Sequence, residues 1–356
     1  MKRLGLMTSG GDCAGLNAAI RAVVHRAHSL GYDIVGIRNS SVGLLNTPPD
    51  IISLTPQSLE ASLVRRGGTF LGSVNKGHPS AFIMPDGSTK NRLSEIGDAY
   101  TSLGLEAVIV IGGDGSLGTA KQIAKQCQWN LVAIPKTIDN DLGSTDQAIG
   151  FNTAVEVATE ALDRLQPTAA SHERIMVLEV MGRHAGHIAL HAGIAGGADV
   201  ILIPEIYYTF DKVCAHLNKI RESGRNFALV IAAEAAGTEE GKPLTLDKGG
   251  RPRYGGIGHY ISETISKRLS TDTRVTVLGH VQRGAQPTAV DRIIASAMGV
   301  HAVDLVQAGQ FDRMVSWQHN TVTSFPIDEA IKKYRGVDLD SQLIQTARGL
   351  DICLGD

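Results

Sequence analysis

Short apolar runs recur along this chain, and each gives way to glycine or a turn and then to a stretch of helical periodicity. The clearest runs cover residues 4–7, 34–37, 107–111, 131–134, 174–180, 200–203, 227–232 and 274–278. Helix-period segments lie among them, at 16–27, 154–165, 211–221 and 257–269. Strands alternating with helices fit an α/β fold with mainly parallel sheets covered by helices. In open sheets of that kind a ligand sits beyond the carboxyl ends of the strands.

That rule selects the residues just past each strand. They read Thr8-Ser9-Gly10-Gly11-Asp12 after the first run and Gly112-Gly113-Asp114-Gly115-Ser116 after 107–111. Further along come Pro135-Lys136-Thr137-Ile138-Asp139-Asn140-Asp141, Met181-Gly182-Arg183, Glu234 and Gly279-His280-Val281-Gln282-Arg283. Structural turns alone do not require so many polar, glycine-rich or charged clusters at strand ends. Glycine is also abundant, at 40 of 356 residues, against a usual share of about 7%. The glycines fall in tight groups, as sharp turns or close backbone approaches to a ligand demand.

The formal net charge of -2 provides no global field toward nucleic acid or an anionic membrane. Anion binding must therefore come from local clusters, and neither nucleic acid nor membrane is an expected partner. No apolar run reaches the ~20 residues that span a bilayer. Cys13, Cys127, Cys214 and Cys353 share no CxxC spacing, which disfavours a zinc site and fits reduced thiols in a cytoplasm. The first residues meet Thr8, Ser9 and Asp12 too early for a signal peptide. The stretch 237–258, with Lys242, Lys248, Arg251 and Arg253 among its glycines, reads as a mobile loop or hairpin.

Gly112–Ser116 has the chemistry of a phosphate cradle. Glycines after a strand let backbone N–H groups approach phosphate oxygens, and a following helix N-terminus favours negative charge. Asp114 in the same turn can hold a Mg²⁺ that neutralises those phosphates. A plain helix cap would also use such a turn, and Gly-Gly-Asp-Gly alone suits lipid or NAD kinases. No GxxxxGK[ST] is present, so this is not a Walker loop. In Thr137–Asp141 two carboxylates stand two residues apart. One can accept a proton from a hydroxyl nucleophile while the other assists with metal or orientation. A solvated Asx-turn is the bland reading. Arg174, Arg183, Arg274, His280 and Arg283 all fall at strand ends, where the planar arginine fork suits bidentate phosphate capture. Singly each is an ordinary surface cation; five together in a near-neutral chain point to a sugar phosphate.

Thr8–Asp12, Gly67-Gly68-Thr69-Phe70-Leu71-Gly72-Ser73, Gly112–Ser116, Thr137–Asp141, Glu179–Arg183 and 278–284 resemble, in order, the signatures of 6-phosphofructokinases. The resemblance covers about residues 1–300, and six ordered motifs are highly specific. It implies two Rossmann-like lobes with the active site in the cleft between them. The larger, donor-binding lobe would comprise residues 1–150 plus about 282–335. The smaller, fructose 6-phosphate-binding lobe would comprise about 151–281 plus 336–356. It further implies Mg²⁺-dependent transfer of a phosphoryl group from ATP to the 1-hydroxyl of fructose 6-phosphate, in glycolysis. Asp139 would be the general base, Asp141 and Thr137 would support it, and Arg183 and the Gly11 amide would stabilise the transferring group. Asp114 would hold the metal. Gly10, Gly11, Asn75, Lys76, Gly113, Asp114, Gly115, Ser116 and Lys136 would bind the donor. Thr137, Asp139, Met181, Gly182, Arg183, Glu234, His280 and Arg283 would bind fructose 6-phosphate. Arg174 and Arg274 would reach the 6-phosphate of a neighbouring subunit, because the family's sites are shared between chains of a homotetramer or, in some members, a dimer.

Two positions bear on the donor and disagree. The residue after the metal aspartate is typically glycine in ATP users and aspartate in pyrophosphate users; here it is Gly115. The residue before Thr137 is lysine, the pyrophosphate-type choice. An aspartate would crowd and repel the nucleotide's α-phosphate, whereas a lysine can lie beside ATP phosphates, so Gly115 carries more weight and a pyrophosphate enzyme is the alternative. Asn75 stands where allosteric members have arginine. His25 and Gln166 replace arginines of the effector region while Arg21 is kept, so control by the usual phosphorylated effectors is in question. A non-catalytic regulatory subunit would be expected to lose Asp139, Asp114 or Arg183, and all three are present.

Overall fold

The computed structural model describes residues 2–74, 78–247 and 252–356, and the side chains of all of these except 246, 247, 252 and 253. Two sheets carry the fold. Their strands are β1 (Arg3–Thr8), β2 (Asp33–Ile37), β3 (Ile51–Leu54), β4 (Leu105–Gly112), β5 (Leu131–Pro135), β6 (Ile175–Val180), β7 (Val200–Leu202), β8 (Ala228–Ala233), β9 (Thr273–Val277), β10 (Arg313–Gln318) and β11 (Thr321–Pro326). Each of the eight apolar runs of the sequence overlaps one of these strands. Contacts divide the chain into two compact units, one of Met1–Ile138, Leu142–Asn152 and Arg283–Tyr334, the other of Asp139–Asp141, Thr153–Gln282 and Arg335–Asp356. The Asp139-Asn140-Asp141 segment thus packs with the second unit although it sits in a stretch of the first.

The first unit holds a seven-stranded sheet ordered β11-β10-β5-β4-β1-β2-β3. Its five central strands are parallel, and β3 and β11 are antiparallel edges. Those edges and β10 escaped the sequence pattern. Polar residues interrupt them, as in Arg-Met-Val-Ser-Trp-Gln, because β3 and β11 are largely only half-buried. From β1 the chain moves to β2 on one side and returns through β4 and β5 on the other. The strand order therefore reverses between β1 and β4, the topological switch point at which open α/β sheets bind ligands. The clusters beginning at Thr8 and Gly112 are the two strand ends at that point. Val35, Val108, Val110, Leu117, Ile123 and Ala133 belong to one core packed on this sheet. On the first unit's helices, Leu16–Ser29 lies against Ala289–Gln307. They approach so closely at Gly299 that a Cβ there would stand 2.8 Å from the Ala19 carbonyl oxygen.

The second unit holds a four-stranded parallel sheet ordered β9-β6-β8-β7. Val177, Val230, Phe210, Ile261 and Ile265 are fully buried in its core; truncating Phe210 to alanine would cost about 3–5 kcal/mol. The helix Phe151–His172 runs through Pro167, beyond the 165 at which its pattern fades. Burial of Ala169 holds the last turns in place despite the missing N–H. The C-terminal segment, silent in sequence, covers the sheet edge at β7. Cys353 pairs with Val200, donating its N–H to Asp199 and accepting one from Ile201, at 2.9 and 3.0 Å. This pairing satisfies edge groups that would otherwise be open. Within 237–258, Thr245–Asp247 and Pro252–Tyr254 pair as an antiparallel ribbon, while Lys248 and Arg251 lie outside the described residues. Among the described residues no helix is long and apolar enough to cross a membrane.

Candidate active site

In the first unit the β1 and β4 ends are laced together. Ser9 donates its N–H to the Ile111 carbonyl at 2.9 Å, and Lys136 donates its own to Gly112 at 2.9 Å. Gly10 has φ 84°, and a Cβ there would lie 2.5 Å from Ser116 Oγ and 3.4 Å from Lys136 Nζ. Only glycine combines that backbone with that proximity. At Gly11 a Cβ would meet Arg283 Nη1 at 3.1 Å. Arg283 donates through the same nitrogen to the Asp12 carbonyl at 3.0 Å, and the buried Lys136 ammonium donates to the Gly11 carbonyl. Gly10, Gly11, Ser116, Lys136 and Arg283 are therefore one cluster.

The helix Asp114–Cys127 begins at this cluster, with Gly113 as an N-cap that offers no side-chain hydrogen bond. Its first N–H groups and the helix dipole face the strand ends, as an anion site requires. Asp114 occupies the first turn. A Cβ at Gly115 would meet nothing within 4 Å, so the turn is open in front of that residue. Among the described residues no group of three His, Cys, Asp or Glu could hold a metal by protein ligands alone. A single aspartate at a phosphate site still fits Mg²⁺, which keeps waters and takes one or two carboxylates plus substrate phosphates. Asn75 and Lys76 lie outside the described residues.

Cys13 is buried next to this loop and donates to the Ile149 carbonyl at 3.3 Å. Burial pushes its thiol up to about 12, which leaves it unreactive at neutral pH.

The second unit holds Asp139, Asp141 and most of the sugar-site candidates, whereas Thr137 and Arg283 fall in the first unit. Asp139, Asn140 and Asp141 are all buried, and Asn140 takes φ 53°; the Asp141 carbonyl accepts from Arg335 N–H at 2.8 Å. At the ends of β6 and β8, Arg183 donates its backbone N–H to Glu234 Oε1 at 3.0 Å. Gly182 has φ 153°, and a Cβ on it would lie 2.5 Å from the Ala185 carbonyl. Burial pushes the Glu234 carboxyl up to about 7; the Arg183 N–H opposes this, and the charges of Asp139 and Glu179 add to it. Thus Asp139, Glu234, Gly182 and Arg183 share one electrostatic neighbourhood. The Met181 N–H donates to Gln282 Oε1 at 2.8 Å. Gln282 is fully buried, a positioning group that sequence reading overlooked although it lies between His280 and Arg283. His280 itself is exposed, just past the end of β9.

Arg174 and Arg274 lie elsewhere. Arg174 immediately precedes β6, and Arg274 is the second residue of the parallel neighbour β9. Both are at the amino ends of strands whose carboxyl ends carry Met181–Arg183 and His280. A strand rises about 3.3 Å per residue, so the sheet itself separates the two groups. Asp272 bridges the two arginines, its Oδ2 taking Arg174 Nε at 2.6 Å and its Oδ1 taking Arg274 Nη1. Partial desolvation raises the Asp272 carboxyl, but the hydrogen bonds and charges of the two arginines outweigh it and hold the group below its ordinary value. Sequence reading missed Asp272, whose partnership with Arg174 spans 98 positions.

The family model for phosphofructokinase matches residues 3–306, the stretch that contains all of these clusters. The chain belongs to the phosphofructokinase family. One relative, ATP-dependent 6-phosphofructokinase 1 of Nostoc sp. strain PCC 7120, is 55% identical over 356 residues, which span 100% of this chain and 99% of that protein. ATP-dependent 6-phosphofructokinase 1 of Synechocystis sp. strain PCC 6803 is 54% identical over 358 residues, with the same coverage of 100% and 99%. Among solved structures, phosphofructokinase from Saccharomyces cerevisiae superposes with a TM-score of 0.80 at 30% identity, covering 99% of this chain and 47% of that longer one. A pyrophosphate-dependent phosphofructokinase from Marinobacter aquaeolei gives a TM-score of 0.78 at 22% identity, covering 100% and 93%. At that identity it speaks for the phosphofructokinase fold alone.

Proposed function

We propose that this phosphofructokinase is a 6-phosphofructokinase that uses ATP, transferring its γ-phosphoryl group to the 1-hydroxyl of fructose 6-phosphate in the cytoplasm. The observation that carries the choice of donor is the open space at Gly115, where an aspartate would repel an α-phosphate. Lys136, the pyrophosphate-type residue, is already engaged with the Gly11 carbonyl, which is compatible with a nucleotide beside it. The high identity to relatives named ATP-dependent supports the same reading. A regulatory subunit without catalysis is disfavoured by the retention of Asp114, Asp139 and Arg183.

Phosphoryl transfer asks mainly for in-line positioning and neutralisation of charge. Asp139 would accept the proton of the 1-hydroxyl as that oxygen attacks, with Thr137 and Asp141 fixing its orientation. The Gly11 N–H and the Arg183 guanidinium would meet the charge on the transferring group, worth far more in a water-poor site than in bulk solvent. Gly10, Gly113, Ser116 and the N-terminus of Asp114–Cys127 would cradle the donor phosphates. Mg²⁺, when bound through Asp114, would supply neutralisation of those phosphates. Met181, Gly182, Glu234, His280 and Arg283 would hold the sugar phosphate.

Arg174 and Arg274 would serve a second copy of the chain. Their position at the amino ends of β6 and β9 removes them from the sugar residues at the carboxyl ends of the same sheet. This favours sites completed between subunits, in a homotetramer or dimer.

A coupled assay with fructose 6-phosphate and Mg²⁺ tests the reading, run once with ATP and once with pyrophosphate. Turnover with ATP alone, abolished by EDTA and restored by Mg²⁺, is expected. Turnover with pyrophosphate alone would mean that Lys136 rather than Gly115 governs the donor, and full activity in EDTA would remove the role given to Asp114.

A further inference from the structure

The arginine pair at the amino edge of the four-stranded sheet is organised by a residue with no assigned part in the reaction. Asp272 lies in the turn before β9, and its backbone carbonyl accepts the Ile175 N–H at 3.1 Å, fixing the turn to the start of β6. Its carboxylate then uses one oxygen for each arginine. Arg174 gives up only Nε to it. Arg274 uses one nitrogen, Nη1, for both Asp272 and the Thr273 carbonyl, the latter at 2.8 Å. The contacts to Asp272 therefore leave the Arg174 Nη1 and Nη2 groups and the Arg274 Nη2 and Nε groups for another acceptor. A guanidinium has five N–H donors in a planar fork, so a partner at one edge orients the rest.

We infer that Asp272 is a positioning residue for phosphate: it holds Arg174 and Arg274 side by side, with their remaining N–H edges presented together to the 6-phosphate of fructose 6-phosphate bound by a second copy of the chain. The inference rests on the reading of these arginines as a 6-phosphate clamp. Two guanidiniums repel one another, and each long side chain has many rotamers. A carboxylate seated on both relieves the repulsion and removes that freedom before the substrate arrives, so less affinity is lost in ordering them. Asp272 touches no reacting atom, so its removal should act on binding of the phosphorylated sugar and not on the chemical step.

The test is steady-state kinetics of full-length Asp272→Asn, which keeps the size and one acceptor oxygen but not the charge. Asp272→Ala serves as a second variant, and Arg174→Ala and Arg274→Ala as references. The expected result is a KM for fructose 6-phosphate raised about 10-fold, as misplacement of a positioning group commonly produces, with kcat and the KM for ATP changed less than about 2-fold. In an Arg174→Ala/Arg274→Ala background the effect of Asp272→Asn should largely disappear, because Asp272 acts only through its contacts to these two arginines. An unchanged KM in Asp272→Asn and Asp272→Ala, with KM raised in the arginine variants, overturns the inference while sparing the clamp. A lowered KM also overturns it, since Asp272 would then be competing with the phosphate. If neither arginine variant alters the KM, the clamp reading fails and the role of Asp272 fails with it.

Discussion

Glu234 carries a pH dependence that can be worked from its surroundings. Its carboxyl moves from an ordinary 4.5 to about 7, first because it is buried and further because Asp139 and Glu179 lie nearby. The folded protein therefore keeps a proton on Glu234 up to about pH 7, whereas an unfolded glutamate releases it near 4.3. Between these values the native state binds more protons than the unfolded chain, so stability falls as pH rises through the window. The displacement corresponds to a stability loss of roughly 3 kcal/mol that is absent below about pH 4 and complete above about pH 7. Glu234→Gln removes the ionisation and can still accept the Arg183 N–H through its amide oxygen. Thermal unfolding without substrate, compared between wild type and Glu234→Gln from pH 5 to pH 8.5, should show little difference at the acid end. At the alkaline end the variant should gain roughly 5 °C. A gain that is the same at both ends, or no gain at pH 8.5, would refute the account, since either result means that the carboxylate is not held against its own charge. Above pH 7 the same variant should bind fructose 6-phosphate more weakly, because the charged acceptor that Glu234 becomes there is lost. Stability given up at a functional position is a common trade.

Asp139→Asn should lower kcat by about 10²–10⁴-fold in the coupled assay, the range typical of a lost general base; an unimpaired kcat would remove Asp139 from that role. Gly115→Asp should leave the melting temperature almost unchanged, because the space before Gly115 is open, yet raise the KM for ATP more than about 10-fold through repulsion of the nucleotide phosphates. Should ATP kinetics stay intact in that variant, this position does not govern the donor. Gly182→Ala should destabilise the fold by more than about 1 kcal/mol, since it forces a side chain into a left-handed backbone and against the Ala185 carbonyl. A wild-type denaturation midpoint would show that this turn relaxes freely.

The legible part of the site was the part written as contiguous strand ends. Thr8–Asp12, Gly112–Ser116 and Met181–Arg183 each follow an apolar run, so a parallel sheet brings them to one edge of its unit without further information. The helix N-terminus at Asp114 was legible for the same reason: glycine, an acidic first turn and helical periodicity are adjacent in sequence. Asp272 and Gln282 were not legible, because their importance comes from partners 98 and 101 positions away. Nor did Asp291, fully buried and accepting the Gly150 N–H at 3.0 Å, stand out from an ordinary acidic first turn.

The sequence by itself determined that strands and helices alternate, that the chemistry sits in glycine-rich and acidic turns after the strands, and which family's motifs the chain carries. Each of these is a local property, set by side-chain period and by backbone conformations that only particular residues adopt. Tertiary structure alone decided the antiparallel edges β3 and β11, the pairing of the C-terminal segment beside β7, and the grouping of Asp139–Asp141 with the second unit. It alone raised Glu234 and set Arg174 and Arg274 on a shared carboxylate at the opposite edge of the sheet from Arg183. The physical reason is that edge pairing, desolvation and charge proximity depend on which distant residues fold back against a group, and no neighbour in sequence reports that.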